Sequence, residues 1–219
     1  MKLTNFKRQL IWEFQVGERI NLIVEAPDEL RDVIRDLDIS VQNDTEEWIL
    51  SDGEEILKKT SAIEMVFSPW TVDLNNKKIQ KAIWKRITKL IQQDVQNEQV
   101  QNIIKEMSVL LDSINEEMEY NFEYAAEDIL ALMKACDVHF SEEEDLLGKL
   151  SQYIKICAEL LGIRLFVFVG IKQYFTGTEL DILSREAGYL GCSFMCIEGT
   201  HTGTEKNMIL IDKDLCRVI

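Results

Sequence analysis

The chain is poor in residues that interrupt regular structure, with two prolines and ten glycines in 219 positions. That scarcity excludes a loop-rich or disordered chain and favours long helices and strands. Histidine is scarcer still: His139 and His201 are the two. No Cys/His or Ser/His/Asp set is visible, so nucleophilic catalysis has no candidate residues. His139, in DVHF, is expected as a strand side chain, and His201 lies in a Gly/Thr-rich loop. No apolar run approaches the roughly 20 residues that span a bilayer. The opening MKLTNFKRQLIWEF alternates polar and apolar side chains and is not a signal peptide. A cytoplasmic location without membrane contact is the expectation. The five cysteines are odd in number, which argues for reduced thiols. Cys192 and Cys196, four apart around a predicted strand, lack the second pair that a zinc site needs.

What is present is a globular composition, 46% hydrophobic, with an acidic balance: 24 basic against 39 acidic side chains, a formal charge of −15. At this length folding buries roughly 70% of the unfolded chain's surface, enough for a core without staples. Strands are predicted at LIWEF (10–14), within GERINLIVEA (17–26) and at IEMVF (63–67). A helix is predicted over PDELRDVIRDL (27–37), opened by Pro27 and acids in its first turn. The Asp52–Gly53 pair signals a hairpin. From about residue 76 the period becomes helical, with Ile79, Ile83, Ile87, Leu90 and Ile91 on one stripe. A second stripe occupies 98–118, and EDILALMKAC reads as a short helix. SEEEDLLGKL opens another helix with a capping box, Ser141 and Glu144. RLFVFVG (164–170) suits a buried parallel strand. TGTELDILSREAGYL (176–190) reads as a helix begun by Thr176 or Thr178. Strands GCSFMCIEG (191–199) and KNMILIDKD (206–214) follow. The expected architecture is α/β: a discontinuous sheet domain, 1–72 and 162–219, interrupted by a helical domain, 73–161.

The order strand, turn, helix in the sheet domain is that of a nucleotide-binding fold. A phosphate-binding loop requires glycines after the first parallel strand and a Lys-Ser/Thr pair. Here VEAPDELRDVI has neither, and Asp28 and Glu29 stand where phosphate would come. LFVFVG ends without a carboxylate for a metal. The expectation is a degenerate, P-loop-like sheet without nucleotide and without catalysis.

Residues 77–89, KKIQKAIWKRITK, gather five lysines and one arginine with no carboxylate, which leaves the remainder of the chain at −21 (−15 less these six cations). At 100° per residue, Lys77, Lys78, Lys81, Lys85 and Lys89 share an arc of about 120° opposite the isoleucine stripe, flanked by Arg86. A solvated face normally mixes signs, and like charges at i, i+4 repel. Such segregation resembles an electrostatic footprint for phosphates. Without an aromatic ladder or recognition helix, contact would be to the backbone and not to sequence. The alternative is a protein-interaction module whose basic face docks an acidic partner, without direct DNA binding. NEEMEYNFEYAAED (115–128) ends the second long helix in acids; it is either a wet turn or a seat for Ca2+, which accepts six to eight oxygens.

The succession of sheet, basic-then-acidic helical insertion, FEYAAEDILALMKACDVHF, capped helix, RLFVFVG and TGTELDIL resembles the CRISPR-associated adaptation protein of type II-A systems over nearly the whole chain. The resemblance implies a nucleotide-binding-like head and a helical leg, and a homotetrameric ring with a basic hole. It implies sequence-independent binding of double-stranded DNA ends, structural calcium and no catalytic activity. It also implies partnership with other CRISPR adaptation proteins and the effector nuclease during spacer acquisition. The DNA-facing residues would be Lys77, Lys78, Lys81, Lys85, Arg86 and Lys89. Glu119 and Glu123 best match the family's acidic turn, with Glu116 and Asp128 beside them. Arg31, Arg35, Lys58 and Lys59 are the head cations from which further contacts would be drawn.

Overall fold

The computed structural model describes residues 1–118, 123, 131, 135–141, 145–201 and 207–218. Two compact units emerge, Met1–Leu74 with Glu142–Ile219, and Asn75–Ser141. In chain order the elements are β1 (Lys2–Asn5), β2 (Leu10–Glu13), β3 (Arg19–Val24), α1 (Pro27–Asn43), β4 (Trp48–Asp52), β5 (Glu55–Leu57), the short α2 (Lys59–Ala62) and β6 (Ile63–Val66). The helices α3 (Lys77–Ile91) and α4 (Asp94–Glu117) belong to the second unit. Then come α5 (Leu146–Ile156), β7 (Leu165–Val169), α6 (Gly177–Tyr189), β8 (Ser193–Glu198), β9 (Met208–Ile211) and β10 (Arg217–Val218).

The first unit is mixed α/β and holds two sheets. Six strands run in the order β10-β9-β3-β8-β7-β6, all parallel except the β9–β10 pair. Four more form an antiparallel sheet, β2-β1-β4-β5. Strand alternation sends Leu22, Val24, Leu165, Val167, Met195 and Ile197 to one face, where they join Val33 and Leu37 of α1 and the inner face of the small sheet. Within that core Trp12 stacks on Trp48, ring centroids 5.4 Å apart. The opposite face carries Phe166, Phe168, Phe194 and Cys196, all buried, and α6 packs against β8 and β3. Burial on both faces explains why LFVFV and SFMCIE read as continuous apolar runs.

Several details differ from the sequence reading. KLTN forms β1 and gives LIWE its partner. The α5 segment lies in the first unit, where the sequence reading grouped it with the helical insertion. Leu150, Tyr153, Ile154 and Ile156 are buried, and Tyr153 Oη donates to Glu64 of β6 at 2.6 Å. Its N-cap is Asp145, which accepts from the Gly148 N–H at 2.8 Å, and not Ser141; Glu144 lies outside the described residues. DVHF forms no strand: His139 is exposed, with Nδ1 2.6 Å from the Asp137 carbonyl. The EDILALMKAC helix falls largely outside the described residues. Thr176 caps α6 in a complete capping box with Glu179.

Candidate nucleic-acid interface

The basic segment forms α3 as its periodicity predicts, and two asparagines fix where it begins. Asn76 is the N-cap, its side-chain oxygen accepting from the N–H groups of Lys78 at 3.0 Å and Ile79 at 3.1 Å. Asn75 Nδ2 donates to the Phe140 carbonyl at 2.9 Å, and its Oδ1 accepts from the Phe140 N–H at 2.8 Å. The same Oδ1 accepts from Gln80 at 2.9 Å. The entry of α3 is thereby tied to a residue 65 positions away. The Asn76 cap has a sequence signature, an Asn directly before the periodic run; the Asn75–Phe140 tie has none.

The six cations Lys77, Lys78, Lys81, Lys85, Arg86 and Lys89 are all exposed, while Ile79 is buried and Ile83, Ile87 and Leu90 are half-buried. Lys77, Lys81, Lys85, Arg86 and Lys89 make no ion pair among the described residues. The first turn carries two lysines and no acid, opposite to what the helix dipole favours. Neither intrahelical pairing nor the dipole accounts for this composition.

The acidic residues fare differently. Glu116, in the last turn of α4, and Glu123 are both exposed; Glu119 and Asp128 lie outside the described residues. Among the described residues no three His, Cys, Asp or Glu side chains gather as a metal site. Glu116 and Glu123 alone do not complete a Ca2+ shell of six to eight oxygens.

Of the head cations, three are committed within their own unit. Arg31 pairs with Asp28, Arg35 with Asp32 at 3.0 Å and Asp36 at 3.3 Å. Lys59 is buried, with Nζ 3.1 Å from Asp44. Lys58 is exposed and forms no ion pair among the described residues; its charge helps hold the Asp44 carboxyl low.

The C-terminal edge of the parallel strands, where mononucleotide folds take their ligand, has a cavity of about 380 Å3. Its walls include Leu30, Val169, Ile197, Lys172 and Glu198. Val24 runs through Glu25 and Ala26 straight into the helix at Pro27, without a glycine loop. Glu29 is engaged by Arg8, whose other nitrogen reaches Asp36 at 2.8 Å. Glu198, which the sequence reading did not single out, is buried and accepts from the Lys172 N–H at 3.0 Å. Burial pushes its pKa up, opposed by that hydrogen bond and the Lys172 charge. The Lys172 N–H, which faces this cavity's edge just after β7, is thus occupied by the chain's own carboxylate. The signal for it was a lone acid ending an apolar strand.

The parallel sheet and the exposed cationic helix define an α/β protein with a helical insertion. Residues 16–215 match the family of the CRISPR-associated protein (Cas_Csn2), so the chain belongs to that family. This is the family of the type II-A adaptation protein, and it gives the chain its role in CRISPR adaptation. A comparison with curated proteins finds no match. No described helix is long and apolar enough to cross a membrane.

Proposed function

We propose that the chain is a non-catalytic, sequence-independent binder of double-stranded DNA ends that acts in spacer acquisition as a homotetrameric ring. The observation that carries this reading is the exposed row of cations on α3, of which Lys77, Lys81, Lys85, Arg86 and Lys89 make no ion pair among the described residues. Lys77, Lys78, Lys81, Lys85, Arg86 and Lys89 would contact phosphates, releasing counterions with a log–log salt slope of roughly −5 for six contacts. The strand order and the glycine-free turn before Pro27 support a degenerate nucleotide-binding-like sheet that holds no nucleotide. Assembly is supported by α4, on which Val109 and Leu110 are 61% and 60% exposed and Ile103 and Ile114 are exposed beside them; an apolar row of this kind is a surface for another copy. Glu116, Glu119, Glu123 and Asp128 are the proposed ligands of structural Ca2+. Other CRISPR adaptation proteins and the effector nuclease are the proposed partners, and the cytoplasm the proposed location.

The deciding experiment compares linear and covalently closed duplexes at moderate salt. A ring that threads ends retains the linear form far more strongly. Equal affinity for both removes the end-threading ring, and no retention of either at about 100 mM salt leaves the acidic-protein partner as the reading. Mass measurement in solution with and without calcium tests the tetramer and its metal separately: a mass of one or two chains in both conditions overturns the ring.

A further inference from the structure

The opposite, N-terminal edge of the parallel sheet holds a second cleft, of about 240 Å3, lined by Gly17, Glu18, Arg19, Asp181, Arg185 and Asn207. Close backbone packing creates it. A Cβ on Gly188 of α6 would lie 2.5 Å from Gly17 Cα, and Ser184 Oγ donates to the Gly17 carbonyl at 3.3 Å. These contacts bring the start of β3 against α6.

Arg19 opens β3 with its side chain 12% exposed, and Nη2 reaches Asp181 Oδ1 at 3.3 Å. Its Nε and Nη1 are buried and have no hydrogen-bond partner. Buried donors left unpaired carry their full desolvation penalty, and charged ones carry more. Arg185 stands four residues after Asp181, the spacing of a helical ion pair. It is nonetheless exposed and unpaired among the described residues, because Asp181 faces Arg19. Glu18 accepts from Asn207 Nδ2 at 2.9 Å. Both carboxylates of the cleft therefore have donors, whereas both guanidiniums keep N–H groups to spare.

We propose that this cleft binds a small oxyanion, a carboxylate or phosphate group, between Arg19 and Arg185. A planar guanidinium matches two oxygens of such a group at once. The arriving acceptor meets the exposed Arg185 and the 12% of the Arg19 side chain that stays open beside Asp181. With two arginines against Glu18 and Asp181, the empty cleft is neutral by formal charge. Its volume and zero net charge suit a compact anion of low charge and give a polyphosphate no net attraction. The site is independent of the cationic face of α3 and of the DNA reading.

The test is calorimetric titration of the full chain with inorganic phosphate and with acetate, at constant ionic strength set by chloride. Saturable binding is expected for at least one of them, with a rise in melting temperature absent in chloride. Arg185→Gln, an exposed change, should weaken it about tenfold, the loss of one charge-assisted contact, without altering the melting temperature in chloride. Arg19→Gln should remove it, and the reversal Lys77→Glu, Lys81→Glu, Lys85→Glu should leave it intact. Should Arg19→Gln fail to fold, Arg185→Gln decides. The proposal is overturned if oxyanion and chloride give the same melting temperature without saturable heat, if binding persists undiminished in Arg185→Gln, or if the α3 reversal abolishes it.

Discussion

The two units treat charge in opposite ways. In the sheet unit, several cations are committed locally, Arg8 to Glu29 and Asp36, Arg35 to Asp32, Lys59 to Asp44 and Arg164 to Asp52 at 2.7 Å, with Lys58 and Arg185 as exceptions. In the helical unit, α3 displays its cations without ion pairs among the described residues, apart from Lys78, which has contacts of its own. Apolar burial divides likewise. The sheet unit buries Trp12, Trp48, Phe166, Phe168 and Phe194 in its core while leaving Phe6, Trp70 and Tyr189 exposed, whereas on α3 only Ile79 is fully buried. A unit that satisfies its own groups is a scaffold; one that leaves them unsatisfied is built to meet something else. The arginines of the second cleft stand out because they follow the helical unit's habit inside the scaffold.

The largest expected effect lies on α3. Replacing Lys77, Lys81 and Lys85 by glutamate should lower affinity for linear duplex at least about a hundredfold and flatten the salt slope, with the melting temperature little changed. A filter-binding series across salt, beside a thermal melt, measures both. A large loss of stability instead would mean that the two units do not divide labour between binding and scaffold. The contrasting change in the scaffold is Gly188→Ala. Its Cβ meets Gly17 backbone at 2.5 Å, which neither strand nor helix can relieve cheaply. A destabilisation of about 3 kcal/mol is expected by denaturant unfolding, with DNA affinity unaltered in the folded fraction.

Much of the scaffold was legible because its signals are local and strong. LFVFV and INLIV are apolar runs too short for helices, Pro27 with Asp28 and Glu29 marks one helix start, and Thr176 or Thr178 marks another. Hydrophobic period placed α3 and α4, and charge placed the cationic face. What stayed hidden is non-local. KLTN, within the alternating opening, has Leu3 as its single apolar residue and becomes a strand by pairing with both LIWE and WILSD. That pairing separates a small antiparallel sheet from the parallel one. The assignment of α5 to the first unit depends on contacts such as Tyr153 with Glu64, 89 positions apart. Ser141 resembles a cap as well as Asp145 does, and only packing chooses between them. Glu198 and Arg19 each look like an ordinary strand-end charge until the neighbouring strand and helix are in place.

The scaffold's habit of pairing charge is tested at Asp44. Its carboxyl accepts from Lys59 Nζ and from the Lys59 backbone N–H at 3.0 Å. The Lys59 side-chain hydrogen bond is the main cause holding Asp44 below the usual carboxylate range, with burial opposing it. Asp44→Ala leaves a buried ammonium without its partner. Because Asp44 is one-third exposed, a loss of about 2 kcal/mol is expected, not the larger cost of a fully buried pair. The folded pKa is depressed, so this contribution is complete above the ordinary value of about 4 and is lost as pH falls through the folded value. Melting curves of parent and Asp44→Ala should therefore converge on acidification; a gap that stays constant through that window would sever the link between the pair and its charge.

The smallest effect sharpens the comparison at the level of a single helix end. Thr176 Oγ1 accepts from the Glu179 N–H at 3.3 Å, and Glu179 accepts in return from the Thr176 N–H at 2.7 Å. The Thr176 N–H first, and then the Thr176 hydroxyl, which donates to the same carboxylate at 2.7 Å, hold the Glu179 carboxyl low. Thr176→Ala should cost about 1 kcal/mol, and Thr176→Ser should restore most of it. Asn76→Ala removes the corresponding acceptor on α3, where Lys77 and Lys78 already oppose the dipole. The same truncation should therefore cost the scaffold global stability when made on α6, and fray only the first turn when made on α3. Hydrogen exchange at Lys78 and Ile79, against that at Glu179, separates the two. Equal acceleration of exchange throughout both helices would mean that α3 is held as firmly as the scaffold, and the contrast between the units would then be one of charge alone.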